Sequence, residues 1–144
     1  MTQINAYLTF DGNCREAMKF YQQCFGGELT IQTVGESPMA EQVPDAEKDK
    51  VMHANLTEGG LVLMAADMID HDGMGNEKLV KGNVITLSLD CSSDEELRTF
   101  FSSLSAGGQV TMPLEEQFWG STFGMLTDKY GMNWMLNFDK TANA

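Results

Sequence analysis

The stretch DGNCREAMKFYQQCFGGELT, residues 11–30, predicts one short amphipathic helix between two strands, and the chain contains this pattern twice. The second copy is DCSSDEELRTFFSSLSAGGQVT, residues 90–111. Each copy begins with an acidic residue, has an aromatic pair in the middle of the helix, and ends in a Gly-Gly pair before a strand. A unit repeated within 144 residues predicts two similar modules.

Each predicted helix has one apolar face. In the first copy the residues at i, i+3, i+4 and i+7 are Ala17, Phe20, Tyr21 and Cys24. In the second copy they are Leu97, Phe100, Phe101 and Leu104. Asn13 precedes Glu16 by three residues, which is the spacing of a capping box. Ser93 and Glu96 repeat that spacing, so both helices are expected to begin with a local side-chain cap.

Strands with alternating apolar residues surround both helices. They are predicted at 4–10, 29–34, 51–57 and 61–66, and again at 83–89, 109–114, 118–127 and 132–138. In each half one helix must cover one face of a four-stranded sheet. The expected fold class is therefore α+β, with tandem β-α-β-β-β modules that form a concave cleft. The expected boundaries are a first module at 1–67, a linker at 68–81, a second module at 82–139 and a tail at 140–144.

Strand alternation predicts which residues face the helices and which face the cleft. The helix-facing residues of the first strand of each module are Ala6, Leu8 and Phe10, and Ile85, Leu87 and Leu89. The cleft-facing residues are Asn5, Tyr7, His53, Asn55, Met64, Met125, Asn133 and Met135. Because the period is two, a one-residue bulge would reverse part of this assignment.

Composition excludes several classes of partner. Nine Lys and Arg residues face 21 Asp and Glu residues, so the net charge of −12 repels nucleic acid and anionic membranes. No signal peptide is expected, and the three cysteines are too few and too widely spaced to predict a disulfide framework. A cytoplasmic protein is expected. The acidic segment 35–50 is expected to be a surface connection with a helical turn near 45–48.

Short groups of residues across nearly the whole chain carry a family resemblance. They are Tyr7-Leu8-Thr9-Phe10-Asp11-Gly12-Asn13, Phe20-Tyr21, Phe25-Gly26-Gly27, Met52-His53-Ala54, Phe118-Trp119-Gly120, Phe123-Gly124, Asp128, Tyr130-Gly131-Met132 and Trp134. With the tandem modules, they resemble the vicinal oxygen chelate superfamily, which includes glyoxalase I, bleomycin-resistance proteins and extradiol dioxygenases, and within it the PhnB-like branch. The resemblance implies a small cytoplasmic protein, often a homodimer, with a cleft between paired modules.

The resemblance also implies where a metal site would lie. Metal-dependent members take four His, Gln or Glu ligands from the first and last strands of each module. The corresponding positions here are Asn5 (or Ala6, one residue along), Met64, Val84 and Met135. None is a histidine or a carboxylate, so no metal ligand and no cofactor is predicted. Some PhnB-like sequences carry a ubiquinone-pathway methyltransferase name, but this chain has no glycine-rich nucleotide loop.

Other residues are weighed against a structural role. His53 and Asn55 are the polar candidates in the cleft, and His53 is the candidate general base. Trp119 is a candidate stacking surface, whereas Trp134 is expected in the core. Several strand methionines suit either a cavity for varied apolar ligands or ordinary core packing. His71 and the pair Glu115-Glu116 are expected to be solvated.

Three functions remain open at this point. The first is a binding protein that holds a small amphipathic, partly aromatic molecule without a metal, using Asn5, Tyr7, His53, Asn55, Met64, Trp119, Met125, Asn133 and Met135. The second is an enzyme of the glyoxalase or dioxygenase type, with a relocated divalent metal or with His53 as general base. The third is a non-catalytic homodimer whose methionines fill the cleft themselves.

Overall fold

The computed structural model of the chain describes residues 2–38, 40–42, 45–68, 79–80, 82 and 84–140. The chain divides into two compact units, Met1–Val80 and Lys81–Ala144. Most of the predicted linker, residues 69–78 and 81, lies outside the described residues, as do the tail residues 141–144. Within the described ranges, no helix is both long enough and apolar enough to cross a membrane.

The first unit is a four-stranded sheet with one α-helix. Its elements in chain order are β1 (Ala6–Phe10), α1 (Cys14–Phe25), β2 (Glu28–Thr33), β3 (Val51–Glu58) and β4 (Leu61–Asp67). The strand order is β1-β4-β3-β2, with β1 parallel to β4 and the other neighbours antiparallel. Three 3-10 turns connect β2 to β3, at Val34–Glu36, Ala40–Gln42 and Asp45–Glu47. The last agrees with the helical turn predicted near 45–48.

The second unit repeats this arrangement. Its elements are β5 (Leu87–Asp90), α2 (Asp94–Ser105), β6 (Gln109–Glu116), β7 (Ser121–Thr127) and β8 (Asn133–Asp139). The strand order β5-β8-β7-β6 is the same as in the first unit, again with only the first strand parallel to its neighbour. The predicted α+β fold with two β-α-β-β-β modules is therefore confirmed.

Each helix buries three of the four residues of its predicted face, and the fourth, Phe20 in α1 and Phe100 in α2, is only partly buried. The buried residues of α1 are Cys14, Ala17, Met18, Tyr21, Cys24 and Phe25. Those of α2 are Leu97, Phe101 and Leu104. The helix α1 packs against β2, β3 and β4, and α2 packs against β6, β7 and β8. Close packing of helix and sheet explains Gly124, because a Cβ there would lie 2.9 Å from the Phe101 ring of α2.

The predicted cap of α1 is wrong. The Asn13 side chain makes no capping hydrogen bond. Asp67, the last residue of β4, takes this role: its Oδ1 accepts from the backbone N–H of Cys14 at 2.9 Å and of Gly12 at 3.0 Å. Its Oδ2 accepts from the backbone N–H of Val51 at 2.9 Å. A buried carboxylate thus satisfies the helix N-terminus, where the helix dipole favours negative charge.

The predicted cap of α2 is confirmed, with one difference. Ser93 Oγ accepts from the backbone N–H of Glu96 at 3.0 Å. In a capping box the Glu96 carboxylate would accept from the N–H of Ser93. It accepts instead from the N–H of Ser92, at 3.1 Å. The second helix is therefore capped within five residues of sequence, whereas the first is capped by a residue more than 50 positions away that ends the strand beside β1.

A β-bulge interrupts the alternation at the start of β3. Gln32 pairs with His53, but the next residue of β2, Thr33, pairs with Val51. Met52 is therefore the extra residue. Strict alternation would place Val51 beside His53 on the open side of the strand, but Val51 is buried, with 1% of its surface exposed.

Two predicted strand starts are wrong. The strand predicted at 83–89 begins at Leu87, and Ile85 is 75% exposed instead of lying under α2. Leu87 pairs with Trp134 near the start of β8, so β8 supplies no partner for Ile85. The strand predicted at 118–127 begins at Ser121. A turn closed by a hydrogen bond from the N–H of Gly120 to the Gln117 carbonyl precedes it.

Candidate functional site

The first sheet has one face covered by α1 and one that points away from it, which we call the open face of the first unit. Tyr7 of β1 pairs with Met64 of β4. Asn55 of β3 pairs with the same Met64 on one side and with Thr30 of β2 on the other. Because paired residues in adjacent strands share a face, these four side chains form one row across all four strands. The structure therefore brings Tyr7, Asn55 and Met64 together, as their strand positions predict.

Two rings lie together on this face. The Tyr7 and His53 rings have centroids 6.2 Å apart and an interplanar angle of 35°. Tyr7 is 52% exposed and His53 is half-buried. A phenol and an imidazole at this distance offer an apolar ring surface with polar edges, which suits contact with a flat ligand.

Asn55 has an unusual environment for a polar side chain. Its Oδ1 atom is inaccessible to solvent and has no hydrogen-bond partner among the described residues. Buried polar atoms are nearly always hydrogen-bonded, so an unpartnered acceptor at the middle of an open face requires an explanation.

The second sheet has a corresponding open face that is richer in thioethers. Met125 of β7 pairs with Met135 of β8 and with Met112 of β6. Met135 also pairs with Ser88 of β5. Met112 is 41% exposed, so part of this methionine surface is open. Flexible, polarizable side chains of this kind adapt to apolar partners of varied shape.

The remaining predicted site residues are placed differently. Asn133 accepts a hydrogen bond at Oδ1 from Thr127 Oγ1 at 2.8 Å, so its acceptor is already used. Asn5 precedes β1, is exposed, and accepts from Gln3 Nε2 at 2.8 Å. Trp119 lies in the β6–β7 turn, 53% exposed, with its ring edge-on to Phe118 at a centroid distance of 4.8 Å.

The residues weighed against structural roles divide clearly. Trp134 is buried, and its Nε1 donates to Asp128 Oδ2 at 2.8 Å, so it belongs to the core. Glu116 is exposed and forms an ion pair with Lys140 at 3.0 Å. The predicted solvated histidine, His71, lies outside the described residues.

Two buried carboxylates with structural roles were missed by the sequence reasoning, Asp67 and Asp128. Asp67 ends an otherwise apolar strand, LVLMAAD, and that position was the only available signal. Asp128 follows β7 in a turn, and its Oδ1 accepts from the backbone N–H groups of Tyr130 and Met132 at 2.8 and 3.0 Å. Neither carboxylate lies on an open face, and each of their four oxygens accepts at least one hydrogen bond from a protein donor.

The donor set at the positions that correspond to the family's metal ligands does not fit a divalent metal. Met64 and Met135 offer thioethers, which bind soft ions and not hard divalent ones. Val84 has no donor atom and is 95% exposed. The Asn5 amide oxygen already accepts a hydrogen bond from Gln3. Across the described part of the chain, no group of three or more His, Cys, Asp and Glu side chains is arranged to hold a metal ion.

Known proteins share this architecture. A sequence model of the Glyoxalase/Bleomycin resistance protein/Dioxygenase superfamily matches residues 3–136. The chain is 34% identical over 146 residues to Protein YjdN of Escherichia coli K12, covering 95% of each chain. The crystal structure of protein PA1353 from Pseudomonas aeruginosa is 41% identical, covers 96% of this chain and 98% of its own, and superposes with a TM-score of 0.80. The PhnB protein from Bacillus cereus, for which a 3-demethylubiquinone-9 3-methyltransferase activity has been suggested, is 28% identical over 95% of this chain and 99% of its own, with a TM-score of 0.69.

Proposed function

Because this chain belongs to the Glyoxalase/Bleomycin resistance protein/Dioxygenase superfamily and to its PhnB-like branch, we propose that it binds a small amphipathic, partly aromatic molecule without a divalent metal. The ligand contacts the open face of the first unit, with His53 and Asn55 as polar anchors. In the second unit, the open surface formed by Met112, Met125 and Met135 offers an apolar contact for the ligand on that unit's own sheet.

The observation that carries this proposal is the Tyr7–His53 ring pair beside Met64. Two rings with centroids 6.2 Å apart and tilted by 35°, one of them half exposed, form an aromatic surface at the end of a row that includes a flexible thioether. An aromatic ligand bound against this surface removes apolar area from water. Each Å² removed contributes about 25 cal/mol to the binding free energy, before the entropic costs of binding are subtracted.

A neutral fluorescent probe tests this proposal. We expect prodan, an uncharged amphipathic naphthalene, to bind saturably and to shift its emission to shorter wavelengths. Tyr7→Ala should weaken its binding at least about fivefold, because that ring supplies the main exposed contact area. The matched control is Phe118→Ala, which removes a side chain that is 97% exposed and lies in the β6–β7 turn. Non-saturable binding, or a loss in the control alone, would contradict the proposal.

The second candidate function is catalysis, favoured by the position of His53 on the open face next to Tyr7. In this case His53 acts as a general base that removes a proton from a bound substrate, or a relocated metal supplies the chemistry. His53→Ala would then abolish turnover while circular dichroism remains unchanged. Native mass spectrometry of untagged protein would show one divalent metal for each chain if the metal alternative holds.

The third candidate is a non-catalytic structural dimer, and a homodimer is also compatible with ligand binding. Several large apolar side chains are exposed: Ile4, Val84, Ile85, Phe118 and Trp119. Exposed apolar surface of this kind favours association with a second copy. Sedimentation velocity should give twice the chain mass of 15.9 kDa, and a monomer at micromolar concentration would contradict the dimer.

Partners of other kinds are disfavoured by charge. A net charge of −12 opposes binding to nucleic acid or to anionic lipid, and the three described cysteines are all free thiols, as expected in the cytoplasm. In a mobility-shift experiment we expect no binding to DNA at any salt concentration.

A further inference from the structure

The carboxamide of Asn55 indicates which chemical group the ligand carries, which the shape of the open face alone does not. Asn55 lies on β3, with Thr30 and Met64 paired to it on the neighbouring strands. Its Oδ1 atom is shielded from water and accepts no hydrogen bond from any described residue. A buried acceptor without a donor is less stable than one that accepts a hydrogen bond. A ligand could supply that donor.

The charges around this face limit what the donor can belong to. The four strands of the first unit contain no lysine or arginine, whereas their residues include two glutamates and an aspartate. The described cationic residues of this unit lie on α1 and in the connection before β3: Arg15, Lys19, Lys48 and Lys50. Each of the two lysines in that connection forms an ion pair at 2.8 Å with a carboxylate three residues earlier. No described cation is therefore placed on the strands to balance a bound anion.

The spacing across the sheet matches a small aromatic molecule. Tyr7 and Asn55 are separated by one strand, β4, so their backbones are about 10 Å apart. A bicyclic ring that contacts Tyr7 and His53 can extend over Met64 and direct a polar edge atom toward Asn55.

We propose that the ligand class of this site is an uncharged or cationic aromatic compound carrying an N–H donor, such as an aryl amine, an indole or an aryl amide. The N–H group donates to Asn55 Oδ1 once the carboxamide rotates to bring this shielded atom to the open face, and the ring lies against the Tyr7–His53 pair. Carboxylates and phosphates are disfavoured on this face, because its four strands carry no lysine or arginine to compensate their desolvation. This inference rests on the proposed function and names the chemistry that its site selects.

Three bicyclic probes of similar shape test the inference: indole, benzofuran, and indole-5-carboxylate. Indole has a ring N–H donor, benzofuran has an oxygen in its place, and the third compound keeps the N–H but adds a negative charge. Binding is measured for each as a dissociation constant from amide chemical shifts in nitrogen-15 correlated spectra of the full chain. The shifts of β1, β3 and β4 report whether the probe occupies the open face.

Indole should bind about fivefold more tightly than benzofuran, because one net hydrogen bond is worth about 1 kcal/mol. In Asn55→Leu the two dissociation constants should become equal. In the matched control Asn13→Leu the fivefold preference should persist, since Asn13 lies at the start of α1 and its side chain makes no capping hydrogen bond. Indole-5-carboxylate should bind more weakly than indole to the unmodified chain. Asn55→Asp, which keeps an acceptor, should retain the preference for indole and serves as the second variant if Asn55→Leu does not fold.

The outcomes separate this inference from the function on which it rests. Equal binding of indole and benzofuran on the open face would overturn the inference and leave the proposed function standing. Tighter binding of the carboxylate would do the same. If no probe perturbs β1, β3 or β4 at millimolar concentration, both the inference and the binding function are wrong.

Discussion

The two units have the same fold but use their buried aspartates at opposite ends of the sheet. In the first unit Asp67 ends β4 and joins the start of α1 to the start of β3, through donors 53–55 and 16 residues away in sequence. In the second unit Asp128 lies in the β7–β8 turn and binds donors two, four and six residues away. The three hydrogen bonds named for Asp67 thus make a long-range connection, whereas the three named for Asp128 stabilise a local turn.

The end of each sheet that lacks a buried aspartate shows the same difference between the units. In the first unit the β3–β4 hairpin turns through Gly59 and Gly60, directly between the paired residues Glu58 and Leu61. In the second unit α2 is capped by its own Ser93. The duplicated fold therefore tolerates different solutions at each end, provided that the exposed helix N–H groups and the turn N–H groups find acceptors.

The largest expected effect is that of Asp67→Ala. The change leaves three backbone N–H groups in or near the core without an acceptor, so the free energy of unfolding should fall by about 4 kcal/mol. Urea denaturation followed by circular dichroism measures it. The control is Asp11→Ala, at an exposed position three residues before the start of α1. It should change the free energy of unfolding by less than about 0.5 kcal/mol. If Asp67→Ala lowers the free energy of unfolding by less than about 1 kcal/mol, the long-range role of this carboxylate is contradicted.

Asp128→Ala should have a smaller effect, about 2–3 kcal/mol, because water can reach part of the turn next to the exposed Lys129. Its Trp134 partner allows a sharper measurement. In a double-mutant cycle with Trp134→Phe, the two losses should be less than additive by about 1 kcal/mol, since each removes the same hydrogen bond. Additive losses would show that this bond contributes nothing measurable.

Asn13 and Ser93 occupy equivalent positions in the capping-box spacing, but only Ser93 should contribute to stability as a helix cap. Ser93→Ala should lower the free energy of unfolding by about 1 kcal/mol, because it removes the acceptor for the Glu96 N–H. Asn13→Ala should change it by less than about 0.5 kcal/mol, because Asn13 makes no capping bond and Asp67 supplies the cap. Thermal denaturation of both variants measures the contrast. Equal losses would contradict the structure.

The smallest contrast is expected for the cysteines at the two helix starts. Burial, followed by the nearby Asp67 charge, raises the pKa of the Cys14 thiol from 9.0 to about 12. Burial, followed by Glu96 and Asp90, raises the pKa of Cys91 to about 12 as well. Both thiols should therefore resist iodoacetamide at pH 8 in the native state and react in urea, as counted by mass spectrometry. Rapid native alkylation of either residue would contradict its burial.

The same pKa values set the sign of a pH effect on stability. Since the folded pKa of each thiol lies above its ordinary value of 9.0, the fold favours the protonated form. The resulting stabilisation is complete below pH 9 and is lost as the pH rises towards 12. Replacing both cysteines by alanine should make the urea midpoint fall less steeply over that interval, and an unchanged slope would contradict the shift.

Periodicity predicted most of the fold because its causes are local. The helix faces of α1 and α2, the strand alternation that groups Tyr7 with Asn55 and Met64, and the cap at Ser93 follow from residues within a few positions of each other. The duplicated order of elements then determined that each half forms a four-stranded sheet with one helix.

Pairing between distant strands decided the rest. Whether α1 is capped by Asn13 or by Asp67 depends on which strand ends beside the helix, and no local pattern contains that information. The bulge at Met52 and the late start of β5 depend on the register and length of their partner strands. That Asn55 Oδ1 has no hydrogen-bond donor among the described residues, the observation on which the ligand class depends, also became visible only in the tertiary structure. Side-chain period is a property of a short segment, whereas hydrogen-bond satisfaction is a property of the assembled sheet.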